Sequence, residues 1–92
     1  MIARQSIRPV VVSDRSGIAF KNGGPKSCVE TAFGRIVEGK DVLDALIEGV
    51  NIVENDPEEP GVGYGAVPNA EGVVQLDASC MHGPTKRAGG VA

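Results

Sequence analysis

Two helix signatures stand back to back between residues 27 and 57, and they constrain this chain more than any other feature. Ser27 can cap free helical N–H groups and Glu30 follows three positions on, so "SCVE" reads as a capping box. Val29, Ala32, Phe33 and Ile36 recur at helical spacing and define an apolar face. Gly39 suits the left-handed position that ends such a helix. Asp41 then caps a second helix, with Asp44 in the first turn, where the helix dipole favours a carboxylate. Val42, Leu46, Val50 and Val53 lie on one side of it, and Leu43, Ala45, Ile47 and Ile52 widen the stripe. So wide a stripe predicts packing on more than one side. Gly49 in its middle is unfavourable relative to alanine and predicts a close contact with a neighbouring element. Pro57 ends the run, inside the turn "NDPEEPG".

Strand character brackets this helical centre. "VVVS" at 10–13 is β-branched, "GIAF" at 17–20 is its expected partner, and "SDRSG" between them reads as a tight turn. "KNGGPK" at 21–26 breaks the chain before the helices. After a second turn, "PNAEG", the stretch "VVQLDASCM" at 73–81 is the best strand, with Val74, Leu76, Ala78 and Cys80 on one side. "HGPTK" turns the chain, and "RAGGVA" at 87–92 begins a further strand. The expected order is β, β, α, α, loop, β, β. Strands and helices run in blocks, which predicts a layered α+β arrangement.

The chain has 92 residues, one small domain with no internal boundary. Its aromatics are Phe20, Phe33 and Tyr64, it has no Trp, and 13 residues are glycine. A core built from Val, Ile, Leu and Ala at this length is marginal alone, so the chain is expected to belong to something larger. Net charge is −3 and basic residues form no stripe: Arg4 and Arg8 lie near the start, Lys86 and Arg87 near the end. That argues against nucleic-acid binding. No apolar run is long enough to span a membrane. "IRPVVV" at 7–12 is too short for a secretory core and is interrupted by Pro9. Cys28 and Cys80 fit neither a metal spacing nor a disulfide scaffold and read as two free, buried thiols in a reducing compartment. A cytoplasmic site follows, or a periplasmic or secreted one if a signal peptide has been removed.

"GVGYGAVPN" at 61–69 places glycines at alternate positions. A dinucleotide or phosphate cradle needs a strand before it and a helix opening at the last glycine. Here a helix and turn precede Gly61, Pro68 and Asn69 follow, and no P-loop lysine is present. The pattern instead fits a backbone that needs unusual dihedrals or passes close to another segment. Carbonyls of such a loop are also suited to an alkali cation, with Glu54 and Asp56 nearby.

No other position completes a catalytic set. His82, the only histidine, reads as a surface turn residue beside Gly83 and has no triad or zinc partner in sequence. Asp77 interrupts an apolar strand, as a buried carboxylate held by backbone donors or as a residue on the solvated face. Glu58 and Glu59 read as solvated turn charges. Cys28, in the first turn of a helix, would have a lowered pKa if exposed but reads as a small buried hydrophobe. Thr31 and Thr85 lack the free amine that activates an N-terminal threonine. The residues leave two options: a partner-dependent piece of an enzyme, or a small non-enzymatic binding or structural domain.

The run from about Gly23 to Ala92, above all "VGYG", "PN", "GVVQLDA" and "HG" between residues 53 and 83, resembles the N-terminal α-chain portion of the glycosylasparaginase and isoaspartyl peptidase/L-asparaginase family. The resemblance implies a partial αββα sandwich of the N-terminal nucleophile hydrolase type. It implies a precursor that cleaves itself, exposing a β chain whose N-terminal threonine attacks the side-chain amide of asparagine, N4-glycosylated asparagine or a β-aspartyl peptide, in an (αβ)2 heterotetramer. The threonine's own amine is the implied base. The implied substrate clamp, an arginine and an aspartate, also belongs to the β chain. This chain is therefore expected to carry no catalytic, cofactor or metal residue of its own. It is also expected to stop short of the cleavage point, to be inert alone, and to be poorly folded in isolation.

In the plant-type branch the segment aligned with residues 53–65 is a sodium-binding loop, but "VENDPEEPGVGYG" has a different composition, nearer the glycosylasparaginases. Glycosylasparaginases also carry a tryptophan near the N-terminus. This chain has "VVSDRSGIAF" there and no Trp, which weakens the case for glycosylated asparagine and leaves free asparagine and β-aspartyl peptides open.

Overall fold

Short-range capping chemistry builds the helical centre as expected. In the computed structural model, which describes residues 8–92, the first of the two helices is α2, Cys28–Val37. The Ser27 hydroxyl accepts from the Glu30 N–H at 3.2 Å, and the Glu30 carboxylate accepts from the Ser27 N–H at 3.2 Å. The Ser27 N–H first, and the Ser27 hydroxyl second, hold the Glu30 carboxyl below the usual range. At the other end Gly39 takes φ +94°, the Gly39 N–H donates to Ile36 O and the Lys40 N–H to Arg35 O, both at 3.0 Å. That pair of bonds is a Schellman motif. One residue later Asp41 caps α3, Val42–Glu54, its Oδ2 accepting from the N–H groups of Leu43 (3.0 Å) and Asp44 (3.4 Å).

The two helices meet through small side chains. Cys28 and Ala32 of α2 are buried against Ala45, Gly49 and Val53 of α3. Gly49 explains itself there: a Cβ on it would lie 2.6 Å from the Cys28 carbonyl oxygen and 3.3 Å from the Ala32 Cβ. Ion pairs bridge the same two helices at the surface. Glu48 accepts from Arg35 Nε at 2.8 Å and from Lys40 Nζ at 2.9 Å. Pairs this exposed add little stability singly but help fix the helices' register.

Outside the helices the sequence expectations hold only in part. Residues 10–13 form no strand, and "GIAF" is not one either. Ser16–Ala19 is a single helical turn, α1. The Asp14 carboxylate accepts from the Gly17 N–H at 3.4 Å, and the Arg15 carbonyl accepts from both Ile18 and Ala19. Local bonds of this kind draw the backbone out of extended geometry. Val10 and Val12 remain 78% and 85% exposed, with no strand beside them among the described residues. Arg4 and the first residue of "IRPVVV" lie outside the described residues.

The second strand region is real but shorter than expected. β1 spans Ala78–His82 and pairs antiparallel with β2, Arg87–Val91, in the register Ala78↔Val91 to His82↔Arg87. Residues 73–77 have no strand opposite them among the described residues. The architecture is therefore mixed α/β: a helical pair, a preceding helical turn and one two-stranded sheet.

Little of this is enclosed. The buried apolar residues are Cys28, Ala32, Ala45 and Val53, while Val73, Leu76, Met81 and Val91 are all roughly half exposed or more. The accessible surface is 7244 Å², against about 5,000 Å² for a folded monomer of this mass. The radius of gyration is 15.8 Å, against about 12 Å for a compact chain of this length. No helix among the described residues is long and apolar enough to cross a membrane.

Candidate functional site

The glycine segment folds back on the end of α3. Gly63–Gly65 forms one 3-10 turn, with Gly63 at φ +64°. A Cβ on Gly63 would overlap the backbone of Glu54, and one on Gly65 would sit 2.5 Å from the Pro57 carbonyl oxygen and 2.7 Å from that of Glu59. The alternate glycines therefore serve close backbone approach, as the sequence reading holds.

Two acids under this loop are buried, which corrects the expectation for one of them. Glu58 is exposed as expected, but Glu59 is only 5% exposed. Its Oε1 accepts from the Gly61 N–H at 2.7 Å, and its Oε2 has no hydrogen-bond partner. Adjacent glutamates in a turn look alike in sequence. The inward one is selected by the chain reversal that brings Gly61 over it. Asp56 is also 5% exposed and accepts from the N–H groups of Asn22 (2.8 Å) and Glu58 (2.9 Å). The bond to Glu58 is an Asx turn, and Asp-Pro at 56–57 was its signal in sequence. The bond to Asn22 ties the segment before α2 to the segment after α3.

A cavity of about 590 Å³ opens beside the loop, bounded by α1, α3, residues 61–63 and the approach to β1. Asp14, Glu54 and Asp77 contribute carboxylates to its wall, and Val50, Val53 and Leu76 contribute apolar surface. Asp77 is exposed and makes no hydrogen bond through its side chain, so the solvated alternative holds. Cys28 reaches the same cavity, but burial first, and the charge of Asp14 second, push its thiol up. It is a protonated, inert thiol. The cavity wall gathers acidic side chains suited to an amine, and among the described residues none of its hydroxyls or thiols is hydrogen-bonded to a side-chain base.

Cys80 is exposed, contrary to expectation, because the hairpin is uncovered around it among the described residues. His82 is half-buried and better connected than a turn residue. Its Nε2 lies 3.0 Å from Asp41 Oδ1 and its Nδ1 2.9 Å from Thr85 Oγ1. Asp41 thus caps α3 with one oxygen and holds the hairpin with the other. The His82 bond is the largest reason its carboxyl lies below the ordinary range. No set of three His, Cys, Asp or Glu side chains suited to a metal ion occurs among the described residues.

Comparison with known proteins gives this geometry its context. Residues 11–92 match the family model described as Asparaginase. The chain is 46% identical over 50 residues to an N(4)-(beta-N-acetylglucosaminyl)-L-asparaginase of Elizabethkingia miricola, covering 54% of this chain and 15% of that protein. It is 36% identical over 91 residues to an isoaspartyl peptidase/L-asparaginase of Rattus norvegicus, covering 90% of this chain and 27% of that protein. It is 40% identical over 60 residues to the isoaspartyl peptidase/L-asparaginase of Homo sapiens, covering 65% and 19%. The chain spans at most about a quarter of the length of these relatives. It belongs to the glycosylasparaginase and isoaspartyl peptidase/L-asparaginase family of N-terminal nucleophile hydrolases.

Proposed function

We propose that this chain is the α-chain portion of a threonine-nucleophile amidohydrolase. The match of residues 11–92 to the asparaginase family model carries the reading. The substrate is the side-chain amide of asparagine, of N4-glycosylated asparagine or of a β-aspartyl peptide. The nucleophile is the N-terminal threonine of a β chain released from the same precursor, its hydroxyl attacking the amide carbon and its α-amine taking the proton. This chain contributes scaffold: the helical pair, the hairpin, and the glycine loop bordering the site.

The uncovered hairpin supports the need for further protein. Apart from half-buried His82, β1 and β2 are exposed, and their outer edges are unpaired among the described residues, a state that native sheets avoid by pairing or cover. In the assembled (αβ)2 enzyme those strands join the sheets of an αββα sandwich. A self-contained binding module fits less well, since among the described residues four small or medium side chains make up the buried apolar core.

The test is hydrolysis by the intact protein of L-asparagine, a β-aspartyl dipeptide and N4-acetylglucosaminyl-asparagine, read as aspartate release. Turnover of at least one is expected. A correctly processed protein that hydrolyses none of the three would overturn the reading.

A further inference from the structure

Asn22 and Gly23 form the exposed tip of the turn between α1 and α2. Both take positive φ, 49° and 73°, and the Gly24 N–H donates to the Lys21 carbonyl at 2.9 Å. This is a type I′ turn. The Asn22 N–H is anchored on buried Asp56. The Asn22 side-chain amide and the Gly23 N–H, by contrast, make no hydrogen bond among the described residues, and a Cβ built on Gly23 meets nothing within 4 Å. The Asn22 side-chain amide and the backbone nitrogen that follows it are therefore without a partner among the described residues, on an exposed turn.

The other three asparagines are shielded. Asn51 lies within α3 before β-branched Ile52. Asn55 ends that helix, and the N–H of the following residue, Asp56, is bonded to Val53 O at 3.1 Å. Asn69 holds its side-chain oxygen on the N–H groups of Glu71 (2.9 Å) and Val73 (3.0 Å).

We propose that Asn22 is a site of spontaneous deamidation and isoaspartate formation, and that the change weakens the tie between this turn and the Asp56 loop. The Gly23 nitrogen loses its proton and attacks Asn22 Cγ. The bond from Cγ to the side-chain nitrogen breaks and ammonia leaves, closing a succinimide. Water opens the ring at either carbonyl, giving an aspartyl or isoaspartyl residue at position 22. The net change is amide plus water to carboxylate plus ammonium, with no redox partner. The isoaspartyl product lengthens the backbone by one methylene within a two-residue turn. Either product adds a carboxylate beside the turn whose N–H serves buried Asp56, which like-charge repulsion opposes. The loop so released borders the cavity described above.

The experiment ages the intact protein at mildly alkaline pH and follows each asparagine by peptide mapping and isoaspartate-specific methyl labelling. Conversion at position 22 is expected to outpace conversion at the other three. Asn22→Gln should abolish the label there and Gly23→Ala should slow it. Trypsin should cut after Lys26 faster in aged protein than in fresh, with no such change in aged Asn22→Gln. If Asn22 stays amidated in the native protein while the urea-unfolded protein converts, the folded turn protects it and the proposal fails. Conversion without any change in tryptic cleavage would overturn the loosening of the loop. None of these readouts depends on hydrolase activity.

Discussion

Two glycines in neighbouring helices should respond to the same substitution with opposite sign. Replacing glycine by alanine in a helix interior gains about 1 kcal/mol from backbone entropy and shielding alone. Gly34 in α2 has nothing within 4 Å of the position a Cβ would occupy, so Gly34→Ala should realise that gain. Gly49 in α3 receives the same intrinsic gain, but its Cβ would stand 2.6 Å from the Cys28 carbonyl oxygen, well inside the ordinary contact distance of 3.4 Å. That neighbour is backbone in the first turn of α2, so yielding by the missing distance moves the Ser27–Glu30 capping box with it. Overpacking of this kind opposes by about 1–3 kcal/mol, and loosening the cap removes up to about 1 kcal/mol more. The net expectation for Gly49→Ala is a loss of up to about 3 kcal/mol. Urea unfolding of the intact protein, with unchanged m, reads both variants. Stabilisation of Gly49→Ala equal to that of Gly34→Ala would refute the close helix contact.

Other expectations follow from the loop, the charges and the thiols. Gly72→Ala meets only the left-handed backbone penalty, about 1–2 kcal/mol, since φ is +81° with open space around it. Gly63→Ala adds overlap with the Glu54 backbone and should lose more than about 3 kcal/mol by the same urea assay. Three carboxyls are held low in the folded chain: Glu48 by Lys40 and then Arg35, Glu30 by Ser27, and Asp41 chiefly by His82. Their contribution is present above the unfolded values of 4.5 for Glu30 and Glu48 and 3.8 for Asp41, and is lost as pH falls through the lower folded values. Unfolding free energy measured down through that range should drop, and Glu48→Gln should flatten the slope; an equal slope in the variant would contradict the ion pairs. Exposed Cys80 should alkylate before Cys28, which should react only on unfolding. Mass spectrometry after brief iodoacetamide treatment distinguishes the two.

How much was legible in the sequence depended on the range of the forces involved. Ser27, Glu30, Gly39 and Asp41 act within one helical turn, so both helices could be placed from the sequence alone. Gly49 was legible as a contact because a mid-helix glycine needs a reason. Strands were harder, since β-branched character at Val10–Val12 counts only when a partner edge is present. The Asp14 and Arg15 bonds instead wound the next residues into a helical turn. β1 is as long as its pairing with β2, not as long as its apolar run. Burial of Glu59 and the long reach from Asn22 to Asp56 and from His82 to Asp41 depend on contacts between segments far apart in the chain. No local pattern announces those. The family motifs supplied what local residue chemistry lacked, a family to which the chain belongs.

The most direct test of the central claim is N-terminal sequencing with intact mass of every polypeptide in the purified protein. The account predicts a companion chain from the same precursor that begins with threonine. A single unprocessed polypeptide, with no threonine at any new N-terminus, would contradict it.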